Sequence, residues 1–199
     1  MLARLKLGVL TLQGLATPIA SATVGLEPLD TIHMQGLRDA CAADQDIWNI
    51  YPHSMLGEHF EPAVEAMVKN PKRLPFAVLA VDGSERPVVG MSSYINPDSH
   101  GVVEIGGTYI QPSVRGTGFN DSLKKLMIDH AFACGFRRIE FRVDTRNQRS
   151  AAAVRKLGAQ LDGTLRQNIV TWTGFVRDTY VFSLFADEWR GRELVGGER

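Results

Sequence analysis

Residues 109–120 read YIQPSVRGTGFN, and this segment decides how the rest of the chain is interpreted. A predicted strand through Ile110 leads into a turn that contains Gly116 and Gly118, and a helix is predicted to follow. The unpaired amides in the first turn of a helix point outward together, and the helix dipole favours negative charge there. Glycine has no Cβ, so a ligand can approach the backbone closely. The segment therefore predicts an anion-binding turn, with a tight connection that binds no ligand as the alternative.

Two other phosphate-binding motifs do not fit this segment. A P-loop requires Lys followed by Ser or Thr after its last glycine, whereas Phe119 and Asn120 follow here. The dinucleotide fingerprint requires a third spaced glycine, which is missing. The residues alone therefore lead only to an anion site.

On both sides of this segment the hydrophobic pattern changes repeatedly between helical and strand periods. Helices are predicted after residue 30, over 58–69, from 118 to about 134 and over 148–157, and a short polar tail is predicted at the end. Strands are predicted over 24–29, 76–81, 88–95, 102–110 and 138–143, with a hairpin over 160–185. The order predicts an α+β fold, in which helices flank a mixed, mainly antiparallel central sheet with one strand-helix-strand crossover. No linker or repeat interrupts it, so residues 1–199 are predicted to form a single domain.

The first long helix has a clear predicted start and face. Asp30 is the candidate N-cap, since its side chain can accept a hydrogen bond from the first helical amides. The apolar positions Ile32, Met34, Leu37 and Ala40 recur at helical spacing and are predicted to form the buried face.

Composition excludes several classes of function. The chain has 199 residues, with 22 Lys and Arg against 22 Asp and Glu, so its formal net charge is zero. Neither a nucleic acid nor an anionic membrane is therefore an expected partner. The two cysteines, Cys41 and Cys134, lie far apart without metal-ligand spacing, which favours a reducing compartment and predicts no metal site.

The amino-terminal segment permits two interpretations. Arg4 and Lys6 precede an apolar stretch that ends in a small-residue pattern at 20–22, as in a secretory signal. Polar residues interrupt that stretch, however, and the alternation over 4–9 suits an edge strand. No run of about 18 apolar residues occurs that would span a membrane. We therefore expect a cytoplasmic protein.

Three segments together resemble the GNAT N-acetyltransferase superfamily, and specifically its RimJ/RimL-like branch, over nearly the whole chain. Residues 109–120 look like the pyrophosphate motif, and NQRS at 147–150 looks like the second conserved block. RDT at 177–179 with EW at 188–189 looks like the ending of that branch. The resemblance implies a GNAT-like fold whose strand-helix-strand core binds acetyl-CoA as the acyl donor.

The same resemblance assigns residues to the donor. Amides from Arg115 to Asn120 would hold the CoA pyrophosphate, the strand edge from Tyr109 to Gln111 would pair with the pantetheine, and Asn147 would hydrogen-bond it. The implied binding residues are Tyr109, Ile110, Gln111, Arg115, Gly116, Thr117, Gly118, Phe119, Asn120, Asn147 and Ser150. Ser113 departs from the family, which usually has Arg or Gln there, and Arg115 is expected to compensate in part.

Two residues are candidates for catalysis. Glu104 lies in the middle of a predicted strand, where a carboxylate is costly unless it is paired or functional, and Gly106 and Gly107 beside it indicate a bulge. In similar enzymes a Glu on this strand acts as general base, and an ion pair with an arginine of a neighbouring strand is the alternative. Val154 occupies the position of the family's usual acid, Tyr, so Ser150 is the substitute candidate, with helix capping as its alternative role.

Trp48 and Tyr51 fall between the first helices, the region that lines the acceptor pocket of similar enzymes, although core packing explains them equally well. The function implied is transfer of an acetyl group to a primary amine, either a protein N-terminus or a small molecule, by direct attack in a ternary complex. Similar proteins often form homodimers. A non-catalytic acyl-CoA-binding or sensing module is the alternative, and a nucleotide-binding protein of another fold is a third possibility.

Overall fold

The computed structural model describes residues 12–196. The edge strand predicted over 4–9 lies outside the described residues. Eight strands form one sheet: β1 (Ile19–Ala20), β2 (Val24–Pro28), β3 (Arg73–Ala80), β4 (Val88–Ile95), β5 (Val102–Ile110), β6 (Arg138–Asp144), β7 (Gln160–Val170) and β8 (Val176–Phe185).

The described helices lie between these strands and at both ends. They are α1 (Leu12–Leu15), α2 (Met34–Ala42), α3 (Phe60–Lys69), α4 (Phe119–Ala133), α5 (Gln148–Lys156) and α6 (Ala186–Gly196). Short 3₁₀ helices occur at Thr31–His33, Asp46–Ile50, Gly57–His59 and Pro112–Val114.

The sheet order is β1-β2-β3-β4-β5-β6-β8-β7, and the pair β5 and β6 is parallel while every other pair is antiparallel. Helix α4 makes the crossover between the two parallel strands. The parallel ladder is short, because it ends where Glu104 is paired with Glu140. Beyond that point β5 and β6 continue without pairing, which leaves an opening in the middle of the sheet.

Two hydrophobic cores cover the sheet. Helix α4 contributes Leu123 and Met127 to the larger core, and α2 contributes Leu37 to the smaller one. Tyr109 belongs to the smaller core and its neighbour Ile110 to the larger. Adjacent residues of a strand point to opposite faces, so β5 is buried on both sides. The α+β architecture predicted from the sequence, a mixed and mainly antiparallel sheet flanked by helices, is confirmed.

Two local expectations were wrong. Ile32 is 80% exposed, because residues 31–33 form a 3₁₀ turn and the buried face of α2 begins only with Leu37. The carboxyl-terminal tail is the helix α6, which Trp189 attaches to α4 by donating from Nε1 to Asp129 Oδ1 at 2.6 Å. Asp30 is confirmed as an N-cap, although it caps the 3₁₀ turn.

Candidate active site

The glycine turn presents a row of free amides. Gly116 and Gly118 have φ of 77° and 84°, a conformation that glycine adopts without strain. Gly118 is the N-cap of α4 and supplies no side-chain cap. Within residues 12–196, none of the backbone N–H groups from Gly116 to Asp121 has a hydrogen-bond acceptor. Such a group of amides at a helix N-terminus is suited to an anion.

The side chain of Arg115 joins the turn to neighbouring elements. Its guanidinium pairs with Asp44, and its Nε donates to the carbonyl oxygen of Ile110 at 2.9 Å. These contacts hold the turn against the strand that precedes it, and Ser113 accepts a hydrogen bond from Gln111 at 2.8 Å. Arg115 also lines the cavity, and its partial compensation for Ser113 stays a prediction.

A central cavity of about 600 Å³ occupies the opening between β5 and β6. At one end its lining includes Gly116 and Asn120 from the glycine turn, and at the other it includes Glu104. The lining also contains Asn147, Ser150, Tyr109, Ile110, Arg115, Trp48 and Tyr51. The structure thus brings most of the residues singled out in the sequence to one cavity. Four residues of the adjoining segment do not line the cavity: Gln111, Thr117, Gly118 and Phe119.

Glu104 lies at the last parallel pair, immediately before the strands separate. The pairing of β4 with β5 shifts between Met91 and Ser93, opposite Gly106 and Gly107, which confirms the predicted bulge. Arg142 Nε lies 3.4 Å from Glu104 Oε2, so the ion pair considered as an alternative is present as well. Burial nevertheless raises the pKa of Glu104 to about 6, with arginines opposing the shift and Glu140 adding to it. A carboxyl group of this kind can exchange a proton near neutral pH.

Asn147 and Ser150 stand together at the start of α5. Asn147 is the N-cap, and its Oδ1 accepts from the amide of Ser150 at 3.0 Å. The side-chain amide nitrogen of Asn147 has no acceptor among the described residues and can donate to a ligand. Since Asn147 supplies the cap, the hydroxyl of Ser150 is not needed for capping, and Ser150 lines the cavity together with Val154.

Trp48 and Tyr51 are packed into the fold and also line the cavity. Trp48 is fully buried and donates to the carbonyl oxygen of Cys41 at 3.1 Å. Tyr51 donates to the carbonyl oxygen of Thr108 at 2.5 Å. Both rings line the cavity, and their centroids are 4.9 Å apart. Their part in binding an acceptor stays a prediction.

Sequence reasoning missed Lys124, which lies on α4 and reaches the cavity although it is only 8% exposed. Its Nζ donates to Thr108 Oγ1 at 2.7 Å. Burial lowers the pKa of Lys124 to about 7, while the Glu104 carboxylate acts in the opposite direction. The helical period would have placed position 124 beside Leu123 near the buried face, and this was the available signal.

Replacement of Lys124 by Met should change how stability depends on pH. The unfolded lysine has a pKa near 10.4 and the folded one about 7, so the unfolded chain binds more protons between these values. Wild type therefore gains stability relative to Lys124→Met as pH rises from about 7 to about 10. Urea unfolding of both proteins at several pH values measures this, with the exposed neighbour variant Lys125→Met as control. If the unfolding free energies of wild type and Lys124→Met differed by the same amount at every pH, that result would contradict the lowered pKa of Lys124.

The described part of the chain shows neither a metal centre nor a membrane span. Between residues 12 and 196, no group of three or more His, Cys, Asp or Glu side chains is arranged to hold a metal ion. No helix in that range combines the length and apolar character needed to cross a bilayer.

Comparison with known proteins identifies the family. A family model described as an acetyltransferase (GNAT) domain matches residues 23–160. A Chromobacterium violaceum protein described as a probable acetyltransferase of the GNAT family is 33% identical. The structural alignment with it has a TM-score of 0.80 and covers 88% of this chain and 89% of that chain. A search of curated proteins found no match.

Two more distant structures share the fold. Mycobacterium smegmatis RimJ, in complex with CoA-disulfide, is 23% identical with a TM-score of 0.71, and the match covers 87% of this chain and 89% of that one. Vibrio cholerae spermidine N-acetyltransferase, in complex with CoA and spermine, is 15% identical with a TM-score of 0.69, covering 85% and 99%. The family model and the Chromobacterium structure show that this chain belongs to the GNAT acetyltransferase family and is an N-acetyltransferase.

Proposed function

We propose that this enzyme transfers an acetyl group from acetyl-CoA to a primary amine by direct attack in a ternary complex. The observation that carries the proposal is one cavity that is lined both by Gly116 and Asn120, whose amides are free, and by Glu104. A donor and an acceptor bound at its two ends would meet in the opening between β5 and β6.

The residues at the turn fit the donor's diphosphate. The free amides can each donate to a phosphate oxygen, and a hydrogen bond to a charged group contributes about 1.5–3 kcal/mol. The amide nitrogen of Asn147 and the edge of β5 that β6 leaves unpaired would hydrogen-bond the pantetheine arm. Arg149 is exposed, lines the cavity and adds positive charge near the start of α5. Acetyl-CoA would supply the thioester, and the amine nitrogen would attack its carbonyl carbon.

Catalysis requires a group to take the proton of the amine and a group to protonate the departing thiolate. Glu104 would take the proton as the new N–C bond forms and the C–S bond breaks, directly or through water. Ser150 would donate from its hydroxyl to the sulfur as the thiol leaves. Val154, at the position of the usual Tyr, is 4% exposed, and its hydrocarbon side chain has no acidic proton to give to the thiolate.

We assign the chain to the RimJ/RimL-like branch, with a protein N-terminus or a small molecule as the amine. The RDT segment supports this, because Arg177 lies at the cavity and donates from Nε to Thr179 Oγ1 at 3.1 Å. The complexes of RimJ and of the spermidine acetyltransferase with CoA ligands are consistent with donor binding here. The single domain over 1–199 and a homodimer both stay predictions.

Incubation of the protein with acetyl-CoA and a panel of N-terminal peptides, polyamines and small amines tests the function. The expected result is an acetyl mass gain on at least one amine and release of one CoA thiol for each acetyl transferred. Tight CoA binding without a mass gain on any amine would instead favour a sensing module.

Replacement of Gly118 by Ala should weaken acetyl-CoA binding about tenfold. A left-handed conformation costs an L-residue roughly 1–2 kcal/mol, and relaxing it would turn the amides away from the phosphates. Isothermal titration with CoA measures the loss.

Gly174→Ala is the matched control for this substitution. Gly174 has a similar φ of 82°, and at both positions a Cβ would meet no atom within 4 Å. It lies in the β7–β8 turn, so the same backbone strain should lower stability without changing CoA affinity. Equal affinity losses in both variants would contradict a specific role for the turn at Gly118.

A further inference from the structure

Glu104 is surrounded by arginines from three different strands. Arg73 lies on β3, Arg142 on β6 and Arg177 on β8, and each of them acts to lower the pKa of the Glu104 carboxyl. All of these guanidinium groups line the cavity. With Arg146, which pairs with Asp144, four arginines stand against the three carboxylates of Glu104, Glu140 and Asp144, so the end of the cavity at Glu104, the acceptor end, has a net positive charge.

Only one of the three arginines around Glu104 is neutralised at close range. Arg142 contacts both Glu104 and Glu140 at 3.4 Å. Among the residues that the structure describes, Arg73 and Arg177 have no carboxylate oxygen within 4.0 Å. Their side-chain hydrogen bonds run through Nε, from Arg73 to Ser93 Oγ at 2.9 Å and from Arg177 to Thr179 Oγ1.

The terminal nitrogens of these two arginines have no hydrogen-bond partner among the described residues. Every fully buried side-chain nitrogen or oxygen in the described part of the chain has a hydrogen-bond partner. The nitrogens of Arg73 and Arg177 without a partner therefore retain some exposed surface, and both residues line the cavity. Arg177 as a whole is only 5% exposed.

The absence of a side chain at Gly107 leaves room for the guanidinium group of Arg73. Gly107 lies in the bulge of β5 with φ of 59°, and a Cβ built there would overlap Arg73 Nη2. Burial disfavours the charge on both Arg73 and Arg177 and lowers the pKa of each. Glu104 favours the charge on both arginines, and Asp144 favours that on Arg177, but neither carboxylate is in direct contact with them. Buried guanidinium groups without a contacting anion are costly, so a ligand that supplies an anion would be bound strongly.

We infer that the acceptor is an amine that also carries an anionic group, a carboxylate or a phosphate, held by Arg73 and Arg177 while Glu104 faces the amine. This inference rests on the proposed acetyl transfer and names its substrate class. Arginine binds such oxyanions through paired N–H donors. Polyamines lack an anionic group and would place further positive charge against these guanidinium groups, which disfavours them as acceptors.

Matched pairs of amines test the inference with acetyl-CoA as donor. One arm compares amino acids with their carboxamides, and a second compares phosphoethanolamine with ethanolamine, so that carboxylate and phosphate are distinguished. Spermidine is the cationic comparison. In at least one arm kcat/KM should be ten times or more higher for the anionic member. The amine of a carboxamide is less basic and so more often neutral, which works against the expected preference.

Arginine variants then locate the preference. Arg73→Gln and Arg177→Gln should each raise KM for the anionic amine about ten- to a hundredfold, with a smaller change in kcat. The exposed Arg166→Gln on β7 is the control and should leave KM unchanged. If either variant folds poorly, competitive inhibition of wild type by simple carboxylates, compared with their amides, gives the same information.

The outcomes separate the two proposals. Neutral members that react as well as anionic ones, or a preference for spermidine, would overturn the inference and leave acetyl transfer intact. Absence of acetylation on every amine, anionic members included, would overturn the proposed function itself.

Discussion

The Glu104→Gln variant is expected to lose about a hundredfold in kcat near pH 7. General base catalysis contributes about 10²–10⁴-fold, and glutamine cannot accept the proton of the attacking amine. Wild-type activity should fall as pH drops through about 6, because the Glu104 carboxyl becomes protonated there. The variant should lack this step. Its deficit should shrink toward pH 9, where an α-amine with a reference pKa of about 7.7–8.0 is mostly neutral without a base.

Steady-state kinetics from pH 5.5 to 9 measure both effects, and Glu140→Gln is the matched control. Glu140 is paired with Glu104 across the parallel strands but does not line the cavity. It raises the pKa of Glu104, so its removal should move the acid limb to lower pH while the plateau rate stays the same. A pH profile that is the same for Glu104→Gln and wild type would remove Glu104 from the mechanism.

The Gly90→Ala variant is expected to lose about 3 kcal/mol of unfolding free energy and about 6–12 °C in Tm. Gly90 is paired with Ile110 in the β4–β5 ladder. A Cβ at this position would overlap the Tyr109 carbonyl oxygen and lie 2.9 Å from Ile110 Cα. These obstacles belong to the backbone, so the strands must separate to admit the methyl group. Folded protein that remains should also bind CoA more weakly, because β5 leads into the glycine turn.

Thermal unfolding followed by circular dichroism tests this result, with Gly163→Ala as control. Gly163 lies in the edge strand β7, and a Cβ there would meet no atom within 4 Å. The control should stay within about 0.5 kcal/mol of wild type, as do most surface substitutions. A Gly90→Ala protein with wild-type Tm would show that β4 and β5 move apart at little cost.

Sequence patterns predicted the centre of the molecule well. The strands at Val88–Ile95 and Val102–Ile110 and the helix after Gly118 have the predicted bounds, because a period of two residues changes there to a helical period across a glycine turn. At such points the backbone conformation depends on the local residues, so the sequence predicts it. The same holds for the bulge at Gly106 and Gly107.

Features that depend on distant contacts were not predictable in this way. The burial of Lys124 arises where α4 packs on the sheet, and its hydrogen-bond acceptor, Thr108, belongs to another element. Arg73 and Arg177 meet at one cavity only through the order of the strands in the sheet. The exposure of Ile32 and the helix α6 likewise depend on neighbouring elements, since the Asp30 cap produces a 3₁₀ turn and Trp189 contacts α4.

The free amides and the arginines at Glu104 belong to different elements of the fold, and this separation has an evolutionary consequence. The free amides lie between β5 and α4, whereas the acceptor end is lined by arginines from β3, β6 and β8. If Arg73 and Arg177 hold the acceptor as proposed, a substitution at either position would change what the acceptor end recognises without altering the backbone that faces the donor. Relatives with this architecture could exchange one acceptor for another through a few side chains while they keep the same acyl donor.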